Sequence, residues 1–220
     1  MAVKKIIDNI YLVNSLFHVS NQYIYAKKDL VLLIDTGIKG NTRNILYSIE
    51  QLGFNNDQIK FIFITHADGD HVGSLFELKD KTKAIVCSSN IEKKAIEKGE
   101  SSRVLKINGI SKLIFRPLSA FFKSKPTKVD VILVPGQIFS EFDELRIIDS
   151  KGHTPGHLSF FLEKQRILFS GDSINISGSQ LEPSSGLKCW DEEESRQSFE
   201  DQMRLKPDFI CGGHGFWKRQ

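Results

Sequence analysis

The chain is poor in sulfur. Its three cysteines, Cys87, Cys189 and Cys211, are odd in number and widely spaced, and no CxxC pair occurs. Neither a disulfide framework nor a thiolate zinc site is indicated, and a reducing compartment fits best. No run of 18 or so apolar residues marks a transmembrane segment. The opening stretch MAVKKIIDNIYLV lacks the apolar core and cleavage signal of an export sequence. A cytoplasmic location is therefore expected. Neither charge dominates: 30 Lys and Arg stand against 27 Asp and Glu, for a net charge of +3. That excess is too small to imply nucleic-acid binding, so no nucleic-acid partner is expected. Internal repeats and low-complexity segments are also lacking, and no serine sits in a nucleophile-elbow pattern.

What is present is an ordinary globular composition over 220 residues, 40% hydrophobic and 26% charged, with Phe unusually common at 16. The length suits one domain spanning 1–220. Short apolar runs predict strands over 10–13, 22–26, 30–34, 60–65, 84–87, 145–149, 158–162, 166–169 and 208–211. Helices are predicted over 41–53, 71–78, 91–98 and 191–206. In the first of these Ile45, Leu46, Ile49 and Leu52 share a face, with Asn41 or Thr42 as the cap and Gly53 as the stop. The last begins with Asp191 to Glu194 and ends near Arg204 and Lys206, as the helix dipole favours. Strands and helices alternate loosely, which makes this an α/β chain.

Six histidines occur, and five of them fall in three short polar clusters, each at the end of a predicted strand. Such strand-end loops are where a rigid scaffold presents functional groups. The first cluster, Thr65-His66-Ala67-Asp68-Gly69-Asp70-His71-Val72-Gly73, packs four potential metal ligands into six residues. The second is Gly152-His153-Thr154-Pro155-Gly156-His157, and the last is Cys211-Gly212-Gly213-His214-Gly215. Ser170-Gly171-Asp172-Ser173 adds a carboxylate at a further strand end, and Asp35-Thr36-Gly37 follows an earlier strand. Imidazole and carboxylate are the usual ligands of zinc, iron and manganese. His157, which leads into a strand, reads as structural, and His18 reads as a surface residue.

Asp35, then THADGDH, GHTPGH, GD and GGHG, taken in order, resemble the metallo-beta-lactamase superfamily over nearly the whole chain, and GHTPGH is most similar to its glyoxalase-II-like branch. The resemblance implies a four-layer αββα sandwich with a binuclear metal site at one edge between the sheets. His66, Asp68 and His153 would hold one ion, and Asp70, His71 and His214 the other. Asp172 would bridge the two ions. Asp70 would also orient the nucleophile, as the catalytic residue. Asp35 would sit behind the ligands and orient one of them. The family usually has a histidine where Asp68 stands. The added carboxylate shifts preference from zinc, the first expectation, toward manganese or ferrous iron.

The implied activity is a metallohydrolase that uses metal-activated hydroxide on an ester-like bond of a small-molecule substrate, such as a thioester or lactone. The alternatives are a phosphodiesterase, a mononuclear iron dioxygenase acting on a thiol or persulfide, and a non-catalytic protein with a vestigial site. Residues 103–128 stand apart, with seven basic residues, no Asp or Glu, and interleaved apolar residues. They read as a cap-like insertion that packs locally, or as a lid over the cleft, a homodimer interface or a membrane-surface contact.

Overall fold

The computed structural model describes residues 3–14, 19–103 and 123–220. His18 and residues 104–122 of the basic insertion lie outside the described residues. One sheet takes seven strands in chain order: β1 (Lys4–Ile7), β2 (Ile10–Asn14), β3 (Asn21–Lys27), β4 (Leu30–Ile34), β5 (Ile59–Phe63), β6 (Ile85–Ser88) and β7 (Val131–Ile132). The first four form an antiparallel meander, and β4 to β7 run parallel. Parallel neighbours need crossovers. Here α1 (Thr42–Gln51) links β4 to β5, and α2 (Gly69–Val72) with α3 (Leu75–Thr82) links β5 to β6. The next connection begins with α4 (Asn90–Ile96).

The second sheet is built from β8 (Ile138–Phe139), β9 (Leu145–Asp149), β10 (Leu158–Leu162), β11 (Ile167–Gly171), β14 (Phe209–Gly212) and β15 (Phe216–Lys218). Between β11 and β14 the chain makes a hairpin, β12 (Ile174–Ser177) with β13 (Gln180–Pro183), and then α5 (Glu192–Arg204). The α5 crossover lets β14 pair parallel to β11.

Strand alternation produces the layers. In β4, Leu32 and Ile34 face the second sheet while Val31 and Leu33 face α1, α3 and α4. In β10, Phe160 and Leu162 face the first sheet, whereas Phe161 points to the outer layer, where Phe199 and Met203 of α5 lie. The result is helix, sheet, sheet, helix: the expected αββα sandwich. The abundant phenylalanines concentrate between the sheets. Phe63 lies 5.4 Å from Phe160 and 5.1 Å from Phe139 between ring centroids, and Phe142 stands edge-on to Phe61 and Tyr25.

Two local readings are corrected. The helix expected over 71–78 is two helices, α2 and α3. The break at Ser74 allows its hydroxyl to donate to Ile38 O at 2.7 Å and to accept from Asn41 N–H at 2.8 Å, tying the turn to the start of α1. Asn41 stands at the N-cap of α1 without capping it. Its amide instead donates to Gln22 Oε1 at 2.7 Å, and its Oδ1 accepts from Asn44 at 3.2 Å. Among the described residues no helix is long and apolar enough to cross a membrane.

Candidate metal centre

The parallel strands β4 and β5 deliver Asp35 and His66 to one edge of the first sheet. Strands β11 and β14 deliver Asp172 and His214 to the adjoining edge of the second. His153 arrives on the loop between β9 and β10. The edges are stitched together by Leu158 N–H donating to Thr65 O at 3.0 Å and Asn21 N–H donating to Gly213 O at 2.7 Å.

All seven ligand-type side chains expected from the sequence meet here. Potential ligand atoms of His66, Asp68 and His153 lie within 4.8 Å of one another, as do those of Asp70, His71 and His214. Asp172 stands between the two groups. Its Oδ1 is 3.3 Å from His71 Nε2, and its Oδ2 is 3.1 Å from His214 Nε2 and 3.6 Å from His153 Nε2. Asp68 Oδ2 lies 3.3 Å from His153 Nε2 and 3.7 Å from His66 Nε2, and Asp70 Oδ2 lies 3.4 Å from His214 Nε2.

The surrounding hydrogen bonds set the histidine tautomers. Asp35 adopts a left-handed backbone conformation (φ +57°), which Asp tolerates better than most residues. Its carboxylate accepts from Thr65 N–H at 2.9 Å, from the Thr65 hydroxyl at 2.8 Å and from His71 Nδ1–H at 2.8 Å. With its proton given to Asp35, the Thr65 hydroxyl accepts from His66 Nδ1–H at 2.9 Å. Both rings therefore turn an Nε2 lone pair inward. These two Nε2 atoms, with Asp172 Oδ1, are buried and have no hydrogen-bond partner. Leaving such atoms unsatisfied is costly, and a divalent cation is the partner that two imidazole lone pairs and a carboxylate share. The residues present fit a metal.

Proton affinities follow the same geometry. Burial, reinforced by His71, holds the His66 imidazole well below its ordinary pKa. Burial alone would also lower His71, but Asp172, Asp35 and Asp70 outweigh it and carry His71 well above. Hydrogen bonds to Asp172 and Asp70 push His214 up to about 9. Burial would raise Asp172 and Asp68, yet His71 and His214 hold the first well below the usual carboxylate range, and His153, His66 and Arg103 do the same for the second. His71 and His214 thus stand among three carboxylates, a place a cation would take.

His157 is a support, as expected. Its Nε2 accepts from Asp172 N–H at 3.1 Å and its Nδ1 faces the Ser150 hydroxyl at 2.8 Å. Ser159 extends the chain to Ser150 at 2.8 Å and to Gln202 of α5 at 3.0 Å. Cys211 is a buried core thiol.

Three further contributors escaped the sequence reading. Glu92 of α4 is fully buried and accepts from Ala67 N–H at 2.8 Å, Gly156 N–H at 3.0 Å, Thr154 Oγ1 at 2.7 Å and Ser102 Oγ at 2.8 Å, so one carboxylate joins three site loops. Ser89-x-x-Glu92 reads in sequence as a helix cap, and Ser89 Oγ does accept from Glu92 N–H at 3.2 Å. Nothing in that pattern signals the buried clamp. Ser184, after β13, faces His153 Nδ1 at 3.0 Å. Arg103, counted only among the basic residues of the insertion, reaches Asp68 Oδ2 with Nη2 at 2.5 Å.

The sequence profile of the metallo-beta-lactamase superfamily matches residues 16–214. The chain belongs to that superfamily, whose members are metallohydrolases. It is 27% identical over 207 residues to the uncharacterized protein YobT of Bacillus subtilis, covering 90% of this chain and 84% of that one. It is 26% identical over 146 residues to the hydroxyacylglutathione hydrolase GloC of Haemophilus influenzae, covering 66% of this chain and 62% of the relative. In structure it resembles a Bradyrhizobium japonicum subclass B3 metallo-beta-lactamase, with a TM-score of 0.71 and 25% identity over 96% of this chain and 77% of that chain.

Proposed function

We propose that this protein is a hydrolase of an ester-like bond in a small molecule, a thioester or lactone, working with two divalent ions. One observation carries the reading. Two groups, each of two imidazoles and one carboxylate, flank a shared Asp172, and the inward Nε2 atoms of His66 and His71 find no hydrogen-bond partner. Similarity to a hydroxyacylglutathione hydrolase supports the thioester class.

His66, Asp68 and His153 would hold one ion and Asp70, His71 and His214 the second, with Asp172 common to both. Zinc is the first candidate, and manganese or iron follow from Asp68. When bound, such ions lower the pKa of water toward neutrality and polarise a carbonyl oxygen. The chain's own part is positional. Asp35 fixes His71, Thr65 fixes His66, Ser184 steadies His153, and His157 holds the Asp172 backbone. Asp70 is the carboxylate set to orient the attacking group. His214, the most exposed of the set with 44% of its side chain accessible, marks the open side where substrate would enter.

The test is elemental mass spectrometry on protein purified without chelator, followed by ester, thioester and lactone assays with the metal found. Two equivalents of metal and turnover lost in both His66→Ala and Asp172→Ala are expected. No hydrolysis of any of these classes by fully loaded protein would overturn the proposal. A second reading, an iron dioxygenase, draws on the two-histidine, one-carboxylate makeup of His66, Asp68 and His153. One iron per chain with oxygen consumption on a thiol or persulfide would favour it.

A further inference from the structure

Asp68 is the position at which this chain departs from the family's usual histidine, and the structure surrounds it in an unusual way. Ser101 Oγ donates to Asp68 Oδ1 at 2.6 Å, and Arg103 Nη2 meets Asp68 Oδ2 at 2.5 Å. Between them, Ser102 Oγ donates to the buried Glu92. Three consecutive side chains therefore dock onto two carboxylates, and Arg103 is held with 10% of its side chain exposed. The oxygen that Arg103 engages is the one that faces His153 and His66.

The two groups of ligands are unequal in consequence. Asp68 is the one carboxylate of the first group, and a full positive charge already neutralises it. Among the described residues, the ion pairs of Asp70 and Asp172 are all with histidines. A guanidinium keeps its charge at any relevant pH. A cation entering beside Asp68 must share the carboxylate with that fixed charge and is repelled by it through a water-poor site.

We propose that Arg103 is a built-in counter-ion that weakens divalent-cation binding at the His66–Asp68–His153 group, so that the Asp70–His71–His214 group fills first. The inference rests on the two-metal reading above and adds an order of loading to it. It also changes the meaning of Asp68. The carboxylate and Arg103 together carry no net charge, as a neutral histidine would, so the excess negative charge that favours harder ions is largely cancelled.

The test is equilibrium dialysis of the full chain against graded free zinc, and separately manganese, with bound metal read by elemental mass spectrometry. Wild type should show two unequal affinities. R103Q should tighten the weaker one by about tenfold or more and leave the tighter one within about threefold. R103K should behave as wild type, because it keeps the charge, and R103M offers a second neutral variant if R103Q does not fold. In a His153→Ala background, which removes the first group, R103Q should have no effect. An R103Q whose weaker affinity is unchanged or reduced, with two metals still bound, overturns the role of Arg103 and leaves the two-metal reading standing. No metal bound by wild type or variants overturns both.

Discussion

Asp143 ties the two sheets together at the end of the sandwich away from the histidines. Its carboxylate accepts from Tyr25 at 2.8 Å, Lys27 at 2.5 Å and Gln165 at 3.1 Å, joining the far end of β3 to the corner before β9. Partial burial would raise its pKa, but the bonds from Lys27, Tyr25 and Gln165 prevail and lower it. A lowered carboxylate pKa contributes stability above the unfolded value of about 3.9, and that stability is lost as the pH falls through the lower folded value. Asp143→Asn keeps a residue tolerant of the left-handed backbone there. It should cost about 1 kcal/mol at pH 7, discounted for the half-exposed Lys27, and the gap to wild type should begin to shrink as the pH falls below ~4. Urea unfolding at pH 7 and pH 3 measures this; a gap of undiminished size at pH 3 would mean the charge is not the source. At the same scale, the ligand-type residues were legible because each carries its chemistry in its identity and neighbours. Glu92, Ser184 and Arg103 were not, since their roles arise from partners 10 to 64 residues away, such as Ser102 and Gly156 for Glu92, and no local pattern encodes such distances.

Strands legible in the sequence are those with at least one face buried in the core. Runs such as Leu30–Ile34, Leu145–Asp149 and Leu158–Leu162 appear in the fold with the predicted bounds, because every position or every other position must be apolar. The edge strands β1, β7, β8 and β15 and the hairpin β12–β13 were not foreseen. They are two to four residues long and half solvated, so backbone pairing rather than side-chain burial defines them. The helix predicted over 191–206 is α5, and its start is well specified. Asp191 accepts from Glu193 N–H at 3.0 Å and Glu194 N–H at 3.1 Å, while its own N–H bonds Gly152 O at 3.0 Å beside His153. Asp191→Ala should therefore destabilise the protein by about 1 kcal/mol, with Asp191→Asn recovering most of it. Thermal melts of the three proteins side by side decide the point. Equal loss in both variants would show that the carboxylate charge, and not the cap bond, is what matters.

Across the whole molecule, the candidate ligands are divided between the sheets. His66, Asp68, Asp70 and His71 follow β5, whereas His153, Asp172 and His214 belong to the second sheet and its loops. Ions held there would cross-brace the two halves and favour the folded state over a chain in which the sheets have parted. Chelation should lower the melting temperature by about 5–15 °C, taking a ligand at a thousandfold excess over its Kd and a chain of this size. Added zinc should restore it. A melt indifferent to chelator would show that the sheets cohere through their phenylalanine core alone. The layer order was legible from the run of motifs because their resemblance to a known family carries the fold with it. Composition and periodicity by themselves reach only an α/β chain.

The back wall of the centre has a consequence for how this protein can change. A side-chain carbon at Gly213 would collide with Asp172 Oδ1 and come within 2.7 Å of His71 Cε1. At Gly171, whose φ is +51°, one would lie 2.7 Å from His157 Nε2. Neither neighbour can retreat without abandoning its role, so both positions are closed to diversification. The sequence space open to a new specificity lies instead along the rim, in the exposed turn from Ser185 to Leu187. Variation can accumulate there without touching the scaffold that aims the histidines.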